Sequence, residues 1–365
     1  MKSAFSFILI IHGLIHLIGY VKAFFETDIS KQLVGVSKPI GSIWLVTFIM
    51  FIVVSIQVQT GKKWFYLGLI AVLASQILII LAWSDAKFGT ITNIVILLVS
   101  ISAFASDRFD ALVEKESKQI LQNIKTKNLP IISENDIVHL PQIVQKWIIN
   151  SGSIGNPIVQ SVRLKQIGNM RTKPNSKWMP FEATQYFNVE NPSFIWQTKV
   201  AALPLINIHG RDKLKDGKGE MLIKLAGLLP LVNASDNPKI DSSAMHRYLA
   251  EICWFPSAAL SNYLSWEIIN FNAAKATFIY KDQSVSGIFT FNDKGDLITF
   301  EAKRYYGGSE NSKLEKWQIT LEAYKVFHDI KIPYKSNVTW KFKEGDFNWL
   351  NLEVVALDYN STVIY

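Results

Sequence analysis

The sequence predicts a membrane helical bundle of four spans joined to a mainly antiparallel-β soluble domain, a curved sheet or half-barrel with a few helices. Two patterns predict it. Residues 1–106 hold four apolar runs near the ~20 residues that a helix needs to cross a bilayer. From Ile158 to Asp358 the hydrophobic period changes to two, with turn signals at short spacing, which reads as consecutive strands. The expected division is 1–106 for the spans, 107–129 for a juxtamembrane helix and linker, and 130–365 for the β domain.

The first span is Phe5 to Phe24. Lys2 precedes it as in a signal peptide, but the run is long and no small-x-small site follows, so it reads as retained. Ile40–Val58 is the second span, closed by the turn Gly61-Lys62-Lys63. Trp64 and Tyr66 open the third, Trp64–Trp83, at the level of an aromatic belt. Gly68, Ala71 and Ser75 give it a small-residue side that permits close helix approach. The fourth runs from about Phe88 to Ala105.

Four spans put both ends of the bundle on one side. Lys2, Lys62, Lys63, Arg108, Lys115 and Lys118 flank that side; Lys22, Lys31, Lys38 and Lys87 flank the other. The bias places the C-terminal domain in the cytoplasm, with the chain a multi-pass protein of a bacterial inner membrane.

Asp107–Lys127 has helical spacing, with Ser106 or Asp107 as cap, and Leu129-Pro130 ends it. Pro141 starts a short helix. Strand patterns follow at Val162–Gln166, Phe181–Val189, Phe194–Ala202, Leu205–Leu214 and Glu220–Leu228. Asp241–Trp254 is the clear helix of this half, capped by Asp241 or Ser242. Strands resume from Ser265 and recur to Asp358, with Asn292–Asp296 as a hairpin turn.

Charge and motifs exclude several functions. The 38 basic and 30 acidic residues are interspersed, with no basic stripe, so no nucleic-acid partner is expected. Cys253 is the single cysteine, which excludes an intramolecular disulfide and a cysteine-based zinc site. His139, His209, His246 and His328 lack zinc-type spacing. No G-x-S-x-G, HExxH or G-x-G-x-x-G is present, and no catalytic residue, metal or cofactor is assigned.

Three constellations are candidates. His12 and His16 lie four apart on one face of the first span, and Gln76 lies within the third. Such a set can carry protons or ligate a metal, or it can join helices by hydrogen bonds to Gln57, Gln76 or Asn93. Arg247 and Glu251 form an i, i+4 pair on an apolar helix. They are either a ligand contact or an ion pair that pins the helix, and Arg163, Gln185, Arg211, Asp212 and Arg304 are candidates for the same network. Trp178, Trp196, Trp254 and Trp266 suit either a core or an apolar cavity.

A set of short motifs carries a resemblance. It comprises Gly168-Asn169-Met170-Arg171, Trp178-Met179-Pro180-Phe181, Gln185-Tyr186-Phe187, Phe194-Ile195-Trp196, Gly210-Arg211-Asp212, Asp216-Gly217-Lys218-Gly219, Arg247-Tyr248-Leu249-Ala250-Glu251 and Trp254-Phe255-Pro256. In this order they resemble the bacterial family catalogued as domain of unknown function 6544, over about Leu140 to Asn360. The resemblance implies no catalytic residue. It implies a curved antiparallel half-barrel like that of lipoprotein-carrier proteins, with acyl chains on the concave face. The expected function is therefore binding of a membrane lipid, an acyl chain or a lipidated partner. An integral membrane enzyme acting on an apolar substrate and a structural or sensory interaction module are the alternatives.

Overall fold

The computed structural model describes residues 2–25, 35–203, 206–309 and 311–365. Glu26, Asp28 and Lys31 lie outside them, as does Leu205, the expected start of the fourth strand. The chain divides into two compact units, one holding residues 1–109 and the other most of the remainder.

The first unit is helical. Helices α1 (Lys2–Phe24) and α2 (Lys38–Thr60) are followed by α3 (Phe65–Leu81), a single turn at Trp83–Ala86, and α4 (Gly89–Ile120). Three of these, α1, α2 and α4, are long and apolar enough to cross a membrane, against the four expected. The third expected span is the one that shortens. Helix α3 has 17 residues and stops where Ala82 leaves helical geometry. At 1.5 Å per residue it rises about 26 Å, short of a ~30 Å hydrocarbon core. The count of flanking lysines, made for an even number of spans, therefore no longer assigns a side.

Packing within this unit is by small residues and rings. Gly19 lies against the Trp44 ring, where even a Cβ would fall 2.3 Å from it. Phe5, Leu9, Phe51, Val54, Ala71, Val72 and Ile96 form its core. Ile15, Val46, Ile56, Leu73, Ile77 and Ile80 point outward and are exposed, the distribution of apolar residues expected when the solvent is lipid. Helix α4 runs without a break through Ser106 and Asp107, so the separate juxtamembrane helix of the sequence reading is the second half of the last span helix. Asp107 is held by Lys63 at 2.9 Å instead of acting as a cap.

The second unit is built on one 13-stranded sheet in the order β6-β5-β4-β3-β2-β1-β13-β12-β11-β10-β9-β8-β7. Strands β1 (Ser161–Met170) to β6 (Leu229–Ala234) form a meander through β2 (Met179–Asn188), β3 (Ser193–Leu203), β4 (Ile206–Lys215) and β5 (Lys218–Leu225). Helix α6 (Pro238–Glu251) then crosses to the far edge, after the shorter α5 (Gln142–Asn150) earlier in the chain. Strands β7 (Leu264–Asn270), β8 (Ala273–Tyr280), β9 (Gln283–Phe291), β10 (Leu297–Tyr305), β11 (Leu314–Phe327), β12 (Ile330–Phe342) and β13 (Gly345–Tyr359) return, and β13 pairs with β1.

The sheet curls. Helix α6 packs on β5 and also on β9 and β10. In a flat sheet those strands would lie tens of ångströms apart at ~4.8 Å per strand, beyond the ~10–12 Å width of one helix. The β8–β9 turn reaches the β4–β5 turn, with Gln283 Nε2 donating to the Gly217 carbonyl at 3.1 Å. Register shifts in β11 and β13 mark bulges, which sharpen such twist.

The inner face is filled. Met245, Tyr248, Leu249 and Phe255 from α6 and the turns after it are buried against Val162, Phe187, Phe194, Phe278, Phe289 and Phe300 of the sheet. The outer face of β2–β4 is covered by the second half of α4, where Asn188 Nδ2 donates to the Ile120 carbonyl at 3.0 Å and Gln197 Nε2 to Asp110 at 2.7 Å.

Candidate functional site

The inner polar cluster is built across α6 and three strands. Arg247 Nε donates to Glu251 Oε1 at 2.8 Å and Nη1 to Asp212 Oδ2 at 2.7 Å. Gln185 Nε2 donates to Glu251 Oε2 at 2.7 Å. The guanidinium stacks 4.7 Å from the Trp196 ring centre and 5.0 Å from that of Phe194. Burial works against the Arg247 charge, but Glu251 and Asp212 outweigh it and hold its pKa up. Burial pushes Glu251 up, opposed by Arg247. With an N–H donor on each oxygen, Glu251 is the carboxylate.

Of the residues grouped in the sequence, Gln185, Asp212, Arg247 and Glu251 meet. Arg304 lies beside them but bonds the Ser243 carbonyl at 3.2 Å and stacks on Trp317; burial and then the Arg247 charge lower its pKa to about 10. Arg211 and Arg163 do not join. Arg211 belongs to the opposite sheet face, in a lattice with Glu116, Lys213 and Glu220 at 2.8–3.2 Å. Arg163 pairs with Asp358 at 2.8 Å and stacks on Tyr365.

The four tryptophans do not share a cavity. Trp196 is buried and donates to Gln166 Oε1 at 2.8 Å, and Trp254 is buried and donates to the Pro333 carbonyl at 3.1 Å. Trp266 packs on Trp147 and Phe289. Trp178 is exposed beneath Arg171.

Within the spans, His16 Nδ1 donates to the His12 carbonyl at 2.8 Å, which leaves Nε2 bare to accept from Ser75 Oγ at 2.9 Å. His12 Nε2 donates to Asn93 Oδ1 at 2.9 Å. Asn93 Nδ2 donates to Gln76 Oε1 at 3.0 Å, and Gln76 Nε2 to Thr90 Oγ1 at 3.2 Å. Ser75 Oγ also lies 3.0 Å from Asn93 Oδ1, so its single proton has two acceptors. The sequence reading supplied His12, His16 and Gln76 but treated Ser75 only as a small packing residue. Its hydroxyl, at the spacing that faces α1, is the link between the two imidazoles.

A third feature was not singled out in the sequence. Leu203, Ile206 and Ala226–Leu228, at the β3–β4 and β5–β6 turns, group with the first unit. Ser102 Oγ donates to the Ala226 carbonyl at 3.3 Å. Gly227 has φ +69° and approaches Ser106 so closely that a Cβ would fall 2.6 Å from its nitrogen. Leu228, Leu229 and Leu231 are exposed. The stretch 225–232, LAGLLPLV, carries no charge, whereas the β4–β5 turn is Lys215-Asp216-Gly217-Lys218. The edge strand β6 thus lacks the charges that usually guard an edge in water.

Among the described residues, no group of three or more His, Cys, Asp or Glu is placed to hold a metal ion. No curated protein matches the chain. Among solved structures, a LolA superfamily protein from Nitrosomonas europaea is 9% identical, covering 59% of this chain and 93% of its own, with TM-score 0.36. A putative outer membrane lipoprotein-sorting protein domain from Vibrio parahaemolyticus is 10% identical, covering 61% and 93%, with TM-score 0.31. The matching family model spans residues 138–359 and corrects the resemblance drawn from the short motifs: it is not family 6544. Motifs such as Trp-Phe-Pro and Asp-Gly-Lys-Gly mark turns and core corners that different sheet families can share, so they do not separate one family from another. The chain belongs to the Family of unknown function (DUF6920).

Proposed function

We propose that the protein is a membrane-anchored lipid-binding protein that meets bilayer lipid at the apolar turn Ala226–Leu228. One observation carries this reading: an uncharged, leucine-rich hairpin tip is hydrogen-bonded to the last span helix at Ser102 and lies against it at Ser106, on the apolar side of its first charges, Asp107 and Arg108. A hairpin tip of that composition is a liability in water and at home in lipid. The finer reading places an acyl chain or lipidated partner on the concave face. That space is filled by α6 and its aromatic neighbours, so a chain enters there by displacing side chains around Tyr248 and Leu249. The bacterial inner membrane is the proposed location.

The test is photocrosslinking of the full chain in nanodiscs that carry a diazirine-bearing phospholipid. Labels on residues 226–228 support the reading. Labels restricted to the outward faces of α1, α2 and α4 overturn it. Labels on Tyr248 or Leu249 support the concave site as well.

A further inference from the structure

On the outer face of the sheet, away from the inner cluster, lies a groove of about 720 Å3, within the ~300–1,000 Å3 range of small-ligand sites. Its floor is a ladder of three asparagines in register across three strands. Asn169 of β1 faces Asn351 of β13, and Asn351 faces Asn337 of β12. The strands are far apart in sequence, so only the β13–β1 closure creates the ladder. Glu182 of β2 and Glu322 of β11 border it.

The hydrogen-bonding state of this set is informative. Asn337 Nδ2 donates to Glu322. Asn351 Oδ1 is shielded from solvent and accepts no hydrogen bond. The two ammonium groups of the groove are engaged, Lys199 with Asp110 at 2.7 Å and Lys335 with Glu353 at 3.5 Å. The groove therefore presents amides and carboxylates, with its positive charge already paired. Ile167, exposed beside Asn169, supplies an apolar surface.

This chemistry selects among ligands. An anion meets more carboxylates than free cations. An apolar chain would leave amides unpaired, at about 1–3 kcal/mol each. A neutral ring of hydroxyls fits, because each hydroxyl both donates and accepts. A side-chain amide, with one acceptor and two donors, can bond two adjacent hydroxyls at once, and a carboxylate can accept from both. The C–H face of such a ring can rest on Ile167. We propose that this groove binds a neutral, hydroxyl-rich ligand, a saccharide, through Asn169, Asn337, Asn351 and Glu182. The proposal is independent of the lipid reading, since none of the residues 226–228 lines the groove.

The experiment is saturation-transfer NMR on the full chain in nanodiscs, with neutral trisaccharides of glucose, galactose, mannose and N-acetylglucosamine as probes and spermidine as a cationic control. Saturable binding of at least one trisaccharide is expected, weakened about tenfold or more by Asn351→Ala and by Glu182→Gln. Asn169→Ala, at an exposed position, gives the same loss with an unchanged fold should Asn351→Ala unfold the domain. No binding of any trisaccharide overturns the proposal, as does binding that these variants leave unchanged. Binding of spermidine alone overturns it in favour of a cation site.

Discussion

Arg247 Nη1 lies 2.7 Å from Asp212 Oδ2, and this bond fastens helix α6 to strand β4. The same guanidinium holds Glu251, one turn on, at 2.8 Å. Removing the cation leaves two carboxylates in the core with no compensating charge. Arg247→Ala is expected to destabilise the β domain by about 3–5 kcal/mol, read as a shift in the urea midpoint followed by tryptophan fluorescence. The triple change Arg247→Met, Asp212→Leu, Glu251→Leu should recover most of that loss, because neither carboxylate is then left buried without its cation. A triple variant as unstable as the single one would show that the cluster does more than pin the helix.

His246 supplies a pH dependence. Burial holds its pKa down at about 4, from an ordinary 6.5, although its Nδ1 donates to the Ser242 carbonyl. Between these two values the unfolded chain binds a proton that the folded chain refuses. Stability therefore falls as pH drops through that window, by about 3 kcal/mol when complete. His246→Gln should flatten the fall in melting temperature between about pH 7 and 4. Equal slopes in the two proteins would assign the acid sensitivity elsewhere.

Ser75→Ala breaks the link between His12 and His16 and strands the bare Nε2 of His16. A loss of about 0.6–2 kcal/mol in detergent or nanodiscs is expected, the range of interhelical hydrogen bonds in membranes. Asn93→Leu, which removes bonds to His12 and Gln76 together, should cost more than Thr90→Val, which removes one. Thermal unfolding of the three variants ranks them.

Gly227→Val places a branched side chain where φ is +69° and Ser106 is in contact. The strain at such a position is about 1–3 kcal/mol. Proteolysis at the β5–β6 turn should become faster in this variant, whereas Gly345→Ala, which is strained at φ +133° but lies in the β12–β13 turn, should leave that site protected.

Cys253 is fully enclosed, and burial raises its thiol pKa well above the ordinary value. It should react with a maleimide orders of magnitude more slowly in the folded protein than in denaturant. Fast native labelling would show that the inner face opens.

Period and turn chemistry made most strands legible, since a strand half-buried on one face writes its alternation into the sequence. The helix at Asp241 was legible too, but not its start. Asn237 caps it, its side chain accepting from Lys239 N, while Asp241 is buried and accepts from Gly219 N at 2.8 Å and Lys218 Nζ at 2.9 Å. A residue that looks like a cap was taken by a strand. The pair Arg247–Glu251 could be read from its spacing, and strand parity already separates Arg211 from Asp212, because neighbours in a strand face opposite sides.

What the sequence by itself determined is local: apolar runs of span length, the switch from helical to two-residue period, the i, i+4 pairs and the turns. Each rests on residues a few positions apart. Only the tertiary structure decided which face each strand residue meets across the sheet. The pairing of β13 with β1 brings Asn351 to Asn169, and the curl of the sheet brings Asp212 and Gln185 to α6. The same holds for α3, whose end at Ala82 leaves three helices of span length among the described residues where apolar runs alone suggested four. Contacts between distant segments are selected by the free energy of the whole packed core, and no window of neighbouring residues contains that quantity.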